Sequence, residues 1–160
     1  MATQYGGYMG KILQIDLTTE TAREYPFTDQ QRRETLGGKA LAYHILHKEL
    51  TGDELPFSEE NLVIVSTGPL TGTGVPGSVR FDITTLSPKT GLPMSSNCGS
   101  RFGLFLKKAG FDALILSGRC KKPGKDPDPI LNDLDIDSID ARNHLTWLWE
   151  KHRVTLENTS

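Results

Sequence analysis

Leu13, Ile15 and Leu17 alternate with Gln14 and Asp16 across residues 11–17, the two-residue period of a strand with one buried face. Residues 18–21 read as a turn, and 22–25 return as the second arm of a hairpin that Pro26 closes. A helix is predicted from Asp29, its expected cap, to Leu36, with Gly37-Gly38 as the stop. A second helix is predicted over 39–50, where Leu41, Ile45 and Leu46 make one apolar stripe. The polar stretch 51–61, which contains Pro56, is expected to be a loop. Residues 62–66, Leu-Val-Ile-Val-Ser, are apolar on both faces and predict a central strand. Residues 80–85 set Phe81 and Ile83 against Asp82 and Thr84, a strand with one wetter face, and 86–91 predict a turn. Phe102, Phe105 and Leu106 have helical spacing within 101–109, with Lys107 and Lys108 in the last turn and Gly110 at the stop. Residues 112–117 predict one more buried strand. Strands and helices mixed without regular βαβ alternation indicate an α+β fold.

Beyond Gly118 the pattern changes: residues 121–129 form a charged, proline-rich linker. Residues 130–139 read as a surface hairpin arm, and 141–152 as a helix that packs through its tryptophans. The expected organisation is therefore a domain over 1–120 and a divergent linker and tail over 121–160. A length of 160 residues fits one domain with a tail and leaves no room for a second full domain.

Charge narrows the function classes. With 18 Lys plus Arg against 20 Asp plus Glu the formal charge is −2, which argues against a nucleic-acid partner. The 36% hydrophobic share rises to the ordinary level once 16 glycines are added, so a core is expected, with many positions given to tight backbone geometry. No apolar run approaches the length of a membrane span, and residues 1–7 lack the charged and apolar regions of a signal peptide. Cys98 and Cys120 support neither a disulfide framework nor a four-thiolate metal site. The expected location is the cytoplasm, with no membrane partner.

Two glycine-rich stretches are candidate binding elements. Residues 72–77, Gly-Thr-Gly-Val-Pro-Gly, match G-x-G-x-x-G after a strand. A dinucleotide fingerprint needs a helix to begin inside the motif, whereas Pro76 interrupts this one and a strand follows, so a Rossmann site is rejected. Ser95-Ser96-Asn97-Cys98-Gly99-Ser100-Arg101 leads instead into a predicted helix start, where backbone amides and a partial positive charge suit a phosphate-bearing ligand. Arg80 opens the strand after the other glycine-rich loop and joins this anion site. The residues leave an alternative equally open, in which Ser96 or Asn97 merely caps the helix and the glycines make turns. His44 and His47, three apart on a helix, and His144 and His152 lack partners for a tetrahedral metal set and read as packed or solvated side chains. Cys98 beside a helix start has the setting of an activated thiol, but no general base accompanies it, and a small residue near a ligand is the simpler reading.

Taken in order, residues 67–73 (Thr-Gly-Pro-Leu-Thr-Gly-Thr), Arg80, 87–91 (Ser-Pro-Lys-Thr-Gly), 97–103 (Asn-Cys-Gly-Ser-Arg-Phe-Gly) and 108–113 (Lys-Ala-Gly-Phe-Asp-Ala) resemble the N-terminal domain of the tungsten-containing aldehyde ferredoxin oxidoreductases. Residues 10–19 and 36–42 fit as well, so the resemblance covers about 6–120. It implies an α+β unit with a mixed β-sandwich and a few helices, forming the base beneath tungsten held by two pyranopterin dithiolenes. It further implies that Arg80 approaches a pterin or its phosphate. Asn97 and Gly99 would line the pterin and a phosphate-bridging magnesium, Asn97 through its backbone. Cys98, Ser100 and Arg101 complete the expected cofactor-binding set, with no catalytic residue in this chain. The complete enzymes oxidise aldehydes to carboxylates and pass electrons through a [4Fe-4S] cluster to ferredoxin. The cluster cysteines of the family have no counterpart in these 160 residues, so the cluster would come from further domains. Expected partners are those domains or a separate subunit, or a second copy of this chain, with ferredoxin reached only indirectly. The competing readings are a non-catalytic binding or assembly module that keeps the fold, and a simple phosphate or nucleotide binder.

Overall fold

A computed structural model describes residues 5–120. The tail expected over 121–160, with its hairpin arm and helix, lies outside the described residues. Nine elements follow one another: β1 (Ile12–Asp16), β2 (Thr21–Tyr25), α1 (Asp29–Thr35), α2 (Gly38–Glu49), β3 (Val63–Thr67), β4 (Arg80–Leu86), β5 (Pro93–Gly99), α3 (Phe102–Lys108) and β6 (Ala113–Ser117). The strands form one mixed sheet in the order β2-β1-β6-β3-β4-β5, in which only β1 and β6 run parallel. The α+β class therefore holds. Among the described residues the strands lie in a single sheet, and the layers that cover it are helical.

Both faces of the central strands are buried, which explains why those strands carry apolar residues at consecutive positions. On one face Ile12, Ile64, Ala113 and Ile115 pack with Leu41, Ala42, Ile45 and Leu46 of α2. On the other, Leu13, Ile15, Val65, Phe81 and Leu114 pack with Phe102 and Leu106 of α3. The stripe read from α2 is the stripe it buries.

Three local features differ from the sequence reading. Thr28, not Asp29, caps α1: its hydroxyl accepts from the Gln31 N–H at 3.2 Å while Gln31 Oε1 accepts from the Thr28 N–H at 2.9 Å, a reciprocal capping box. Residues 93–99, where the sequence pattern predicts no strand and where Ser95 onward reads as the lead into a helix start, form an edge strand paired to β4 over its whole length. Lys107, expected to decorate the end of α3, is buried at 5% exposure. It pairs with the Asp112 carboxylate and donates to the Gly7 carbonyl at 2.8 Å. Asp112 also accepts from the Met9 and Gly10 amides, at 3.1 and 2.8 Å, so one buried polar hub ties the start of the chain to α3 and β6.

Gly37 and Gly38 set where α2 begins. Gly37 has φ +115°, and a Cβ there would stand 2.7 Å from the Thr67 carbonyl oxygen, so only glycine allows this turn to press against the end of β3. A Cβ at Gly38 would lie 3.3 Å from Asp82 Oδ2. The first turn of α2 is thereby placed beside β4.

Candidate functional site at the β4–β5 edge

The β4–β5 register pairs Arg80 with Gly99, Asp82 with Asn97 and Thr84 with Ser95. Residues directly opposite in an antiparallel pair project from the same face, so these six share the α2 side of the sheet. The alternate set, Phe81 with Cys98 and Ile83 with Ser96, projects from the α3 side. Arg80, Asn97 and Gly99 are exposed. β5 ends the sheet, and an edge strand presents main-chain N–H and C=O groups that no neighbour pairs.

Within this cluster the side chains form a chain of hydrogen bonds. Arg80 Nε donates to Asn97 Oδ1, and Arg80 Nη2 approaches the Asn97 carbonyl oxygen at 3.4 Å. Asn97 Nδ2 donates to Asp82 Oδ1 at 3.1 Å and to the Phe81 carbonyl at 3.4 Å. The Ser95 hydroxyl donates to Asp82 Oδ1 at 3.4 Å. A Cβ at Gly99 would lie 3.7 Å from Arg80 Nη1, so the guanidinium lies across the bare backbone of β5. Among the described residues Arg80 enters no ion pair, and the Asp82 carboxylate reaches it only through the Asn97 amide.

The expected site residues thus divide. Arg80, Asn97 and Gly99 are brought together, seventeen to nineteen positions apart in sequence, by hairpin register. Cys98 is not: its side chain packs, half-buried, against the core cluster that includes Phe81, on the face away from Arg80. Ser100 and Arg101 are exposed just past the strand. Ser100 Oγ accepts from the Phe102 N–H at 3.4 Å, and Arg101 precedes α3 without capping it through its side chain. With only seven residues α3 offers a short dipole, so the positive character of this edge comes from arginine rather than from a helix start. The Gly72–Gly77 stretch makes turns with positive φ at Gly72, Gly74 and Gly77 and delivers the chain into strand β4, not into a helix.

Asp82 was legible only as a polar position on the wetter face of its strand. Its place at the centre of the network depends on β5, which periodicity did not reveal. The same polar row continues inward to Ser66, opposite Asp82 on β3 and fully buried. Among the described residues no group of three or more His, Cys, Asp or Glu side chains gathers as a metal cluster. No helix among them is long and apolar enough to cross a membrane.

Comparison with known proteins places this geometry in context. The family model for the aldehyde ferredoxin oxidoreductase N-terminal domain matches residues 12–125. The tungsten-containing aldehyde ferredoxin oxidoreductase of Pyrococcus abyssi is 42% identical over 117 residues, covering 73% of this chain and 19% of the relative. The Pyrococcus furiosus protein of the same name is 36% identical over 119 residues, covering 74% and 20%. An aliphatic sulfonate oxidoreductase, WOR-like subunit, of Pyrococcus furiosus is 39% identical over 120 residues, covering 72% and 19%. Among solved structures, the active-site complex BamBC of benzoyl coenzyme A reductase, in complex with 1,5-dienoyl-CoA, superposes with a TM-score of 0.71. That match has 32% identity and covers 73% of this chain and 18% of the other. The chain spans about a fifth of the length of the curated relatives it matches.

Proposed function

The chain belongs to the aldehyde ferredoxin oxidoreductase family, as its N-terminal domain, and from that premise we propose that the β4–β5 edge holds the phosphate-bearing end of a tungsten pyranopterin cofactor. When bound in a complete enzyme, the cofactor supplies the redox chemistry that takes an aldehyde and water to a carboxylate with release of two electrons. This chain contributes binding and orientation.

The observation that carries the reading is the guanidinium of Arg80, held by Asn97, without an ion-pair partner among the described residues and lying across Gly99 on an open strand edge. A guanidinium presents parallel N–H donors matched to phosphate oxygens, and here Asn97 holds one edge of it so that little side-chain freedom remains to be lost on binding. Gly99 leaves room for a flat ring or a phosphate to approach the backbone, which any Cβ would narrow. The exposed hydroxyl of Ser100 and the second guanidinium at Arg101 follow Gly99 directly in the chain. Cys98 has no part in this set. A magnesium ion would be held through the Asn97 carbonyl only if Arg80 Nη2, now 3.4 Å from that oxygen, turned aside.

Family membership carries this reading ahead of a non-catalytic assembly module. Calorimetric titration of the chain with inorganic pyrophosphate, a pterin phosphate and ATP tests it. The expected result is binding of pyrophosphate and, more tightly, of the pterin phosphate, with Arg80→Ala weakening both by about tenfold. ATP binding as tight as pterin phosphate, or binding indifferent to Arg80→Ala, would overturn it in favour of a general nucleotide binder or a different surface.

A further inference from the structure

Resting on that reading, we propose that Asp82 is the positioning residue of the anion site: its carboxylate fixes the Asn97 amide, and through it the Arg80 guanidinium, without pairing with the arginine itself. A carboxamide has one accepting and one donating end. Arg80 Nε only donates, while Asp82 Oδ1 and the Phe81 carbonyl only accept. One of the two amide orientations satisfies all three neighbours, the one with Nδ2 at 3.1 Å from Asp82 Oδ1 and Oδ1 turned to Arg80. The reverse orientation would set the amide N–H groups against the guanidinium and its oxygen against the carboxylate. Asp82, at 3.1 Å the nearer of the two acceptors on Nδ2, anchors the orientation that the Phe81 carbonyl also favours, and Asn97 in turn sets where the guanidinium lies.

The carboxylate is itself held from two sides. Ser95 on β5 donates to Oδ1 at 3.4 Å, and the first turn of α2 comes close to Oδ2, where a Cβ at Gly38 would stand 3.3 Å away. The amide acts as a spacer. A direct Asp82–Arg80 pair would hold the arginine equally well but would cancel the charge needed for an anion, whereas among the described residues neither side chain enters an ion pair. Orientation is obtained from a carboxylate while the positive charge at the edge is kept.

The inference is tested on the 160-residue chain with inorganic pyrophosphate as the probe, alongside nuclear magnetic resonance of the Arg80 Nε–H and Asn97 Nδ2 side-chain signals in isotope-labelled protein. Asp82→Ala is expected to broaden or shift both signals and to weaken pyrophosphate binding about fivefold, the effect of losing one orienting hydrogen bond. Asp82→Asn keeps an acceptor and removes a negative charge, so it should leave both signals in place and bind pyrophosphate at least as tightly as the parent chain. Unmoved signals and parental affinity in Asp82→Ala overturn the proposal. So does an Asp82→Asn variant as impaired as Asp82→Ala. If the parent chain does not bind pyrophosphate at all, the cofactor reading fails, and the side-chain signals of the two variants still decide whether Asp82 positions Asn97.

Discussion

At the scale of single residues the most consequential feature outside the site is the buried pair Lys107–Asp112, with 5% and 1% of each residue exposed. Its two members are not equally dependent on each other. Asp112 also accepts from the Met9 and Gly10 amides, and its carbonyl accepts from the Thr67 N–H at 3.0 Å and hydroxyl at 2.7 Å. Among the described residues the Lys107 ammonium has only the carboxylate, the Gly7 carbonyl and the face of Tyr8, whose ring centroid lies 5.5 Å away. Removing Asp112 therefore leaves a buried ammonium short of its counter-ion and two main-chain N–H groups without acceptors. Asp112→Ala is expected to cost about 3 to 5 kcal/mol, measured as a fall in urea unfolding free energy. Lys107→Met should cost distinctly less, because the carboxylate retains its amide donors. Equal losses in the two variants would show that the ion pair, and not the amide cradle, dominates the hub.

At the scale of elements, the Gly37–Gly38 hinge sets the distance between α2 and β4. Gly37→Ala places a methyl carbon 2.7 Å from the Thr67 carbonyl oxygen and forces a side chain into φ +115°, so the start of α2 must move away from β3. The expected result is a loss of about 1 to 3 kcal/mol in a denaturant titration, together with a shift of the Asn97 side-chain amide signal, because α2 also bounds Asp82. A stability loss with that signal unmoved would separate the hinge from the site. These same elements show what can be read from sequence. β1, β3, β4 and β6 were legible because each carries alternating or continuous apolar residues that a buried sheet demands, and α2 because Leu41, Ile45 and Leu46 recur at helical spacing. β5 was not, since Pro-Met-Ser-Ser-Asn-Cys-Gly has no apolar rhythm; five of its seven residues are exposed, and only pairing with β4 makes it a strand. Arg80 and Asn97 were legible from their residues as parts of an anion site, with a helix cap equally open, and resemblance to a family then favoured the site. That Asp82 joins them, and that Cys98 turns away, are consequences of register, and register is a property of two segments together that neither sequence pattern states alone.

At the scale of the whole molecule, the candidate site is one-sided. Arg80, Asn97 and Gly99 lie on an exposed edge, with no wall opposite them among the described residues, and a net charge of −2 gives the chain no general attraction for anions. Affinity must come from a few local donors. Anchors on one side can hold a phosphate, whereas redox catalysis also needs a path for electrons, and cysteines for a cluster are not among these 160 residues. The chain also spans only about a fifth of its relatives' length. The 160-residue chain by itself is therefore expected to bind pyrophosphate but to show no viologen-linked aldehyde oxidation, and elemental analysis should find tungsten far below one atom per chain. Turnover with stoichiometric tungsten would mean that the β4–β5 edge closes over its cofactor unaided, for instance by pairing with a second copy across β5, and light scattering on the active material would then have to show that dimer.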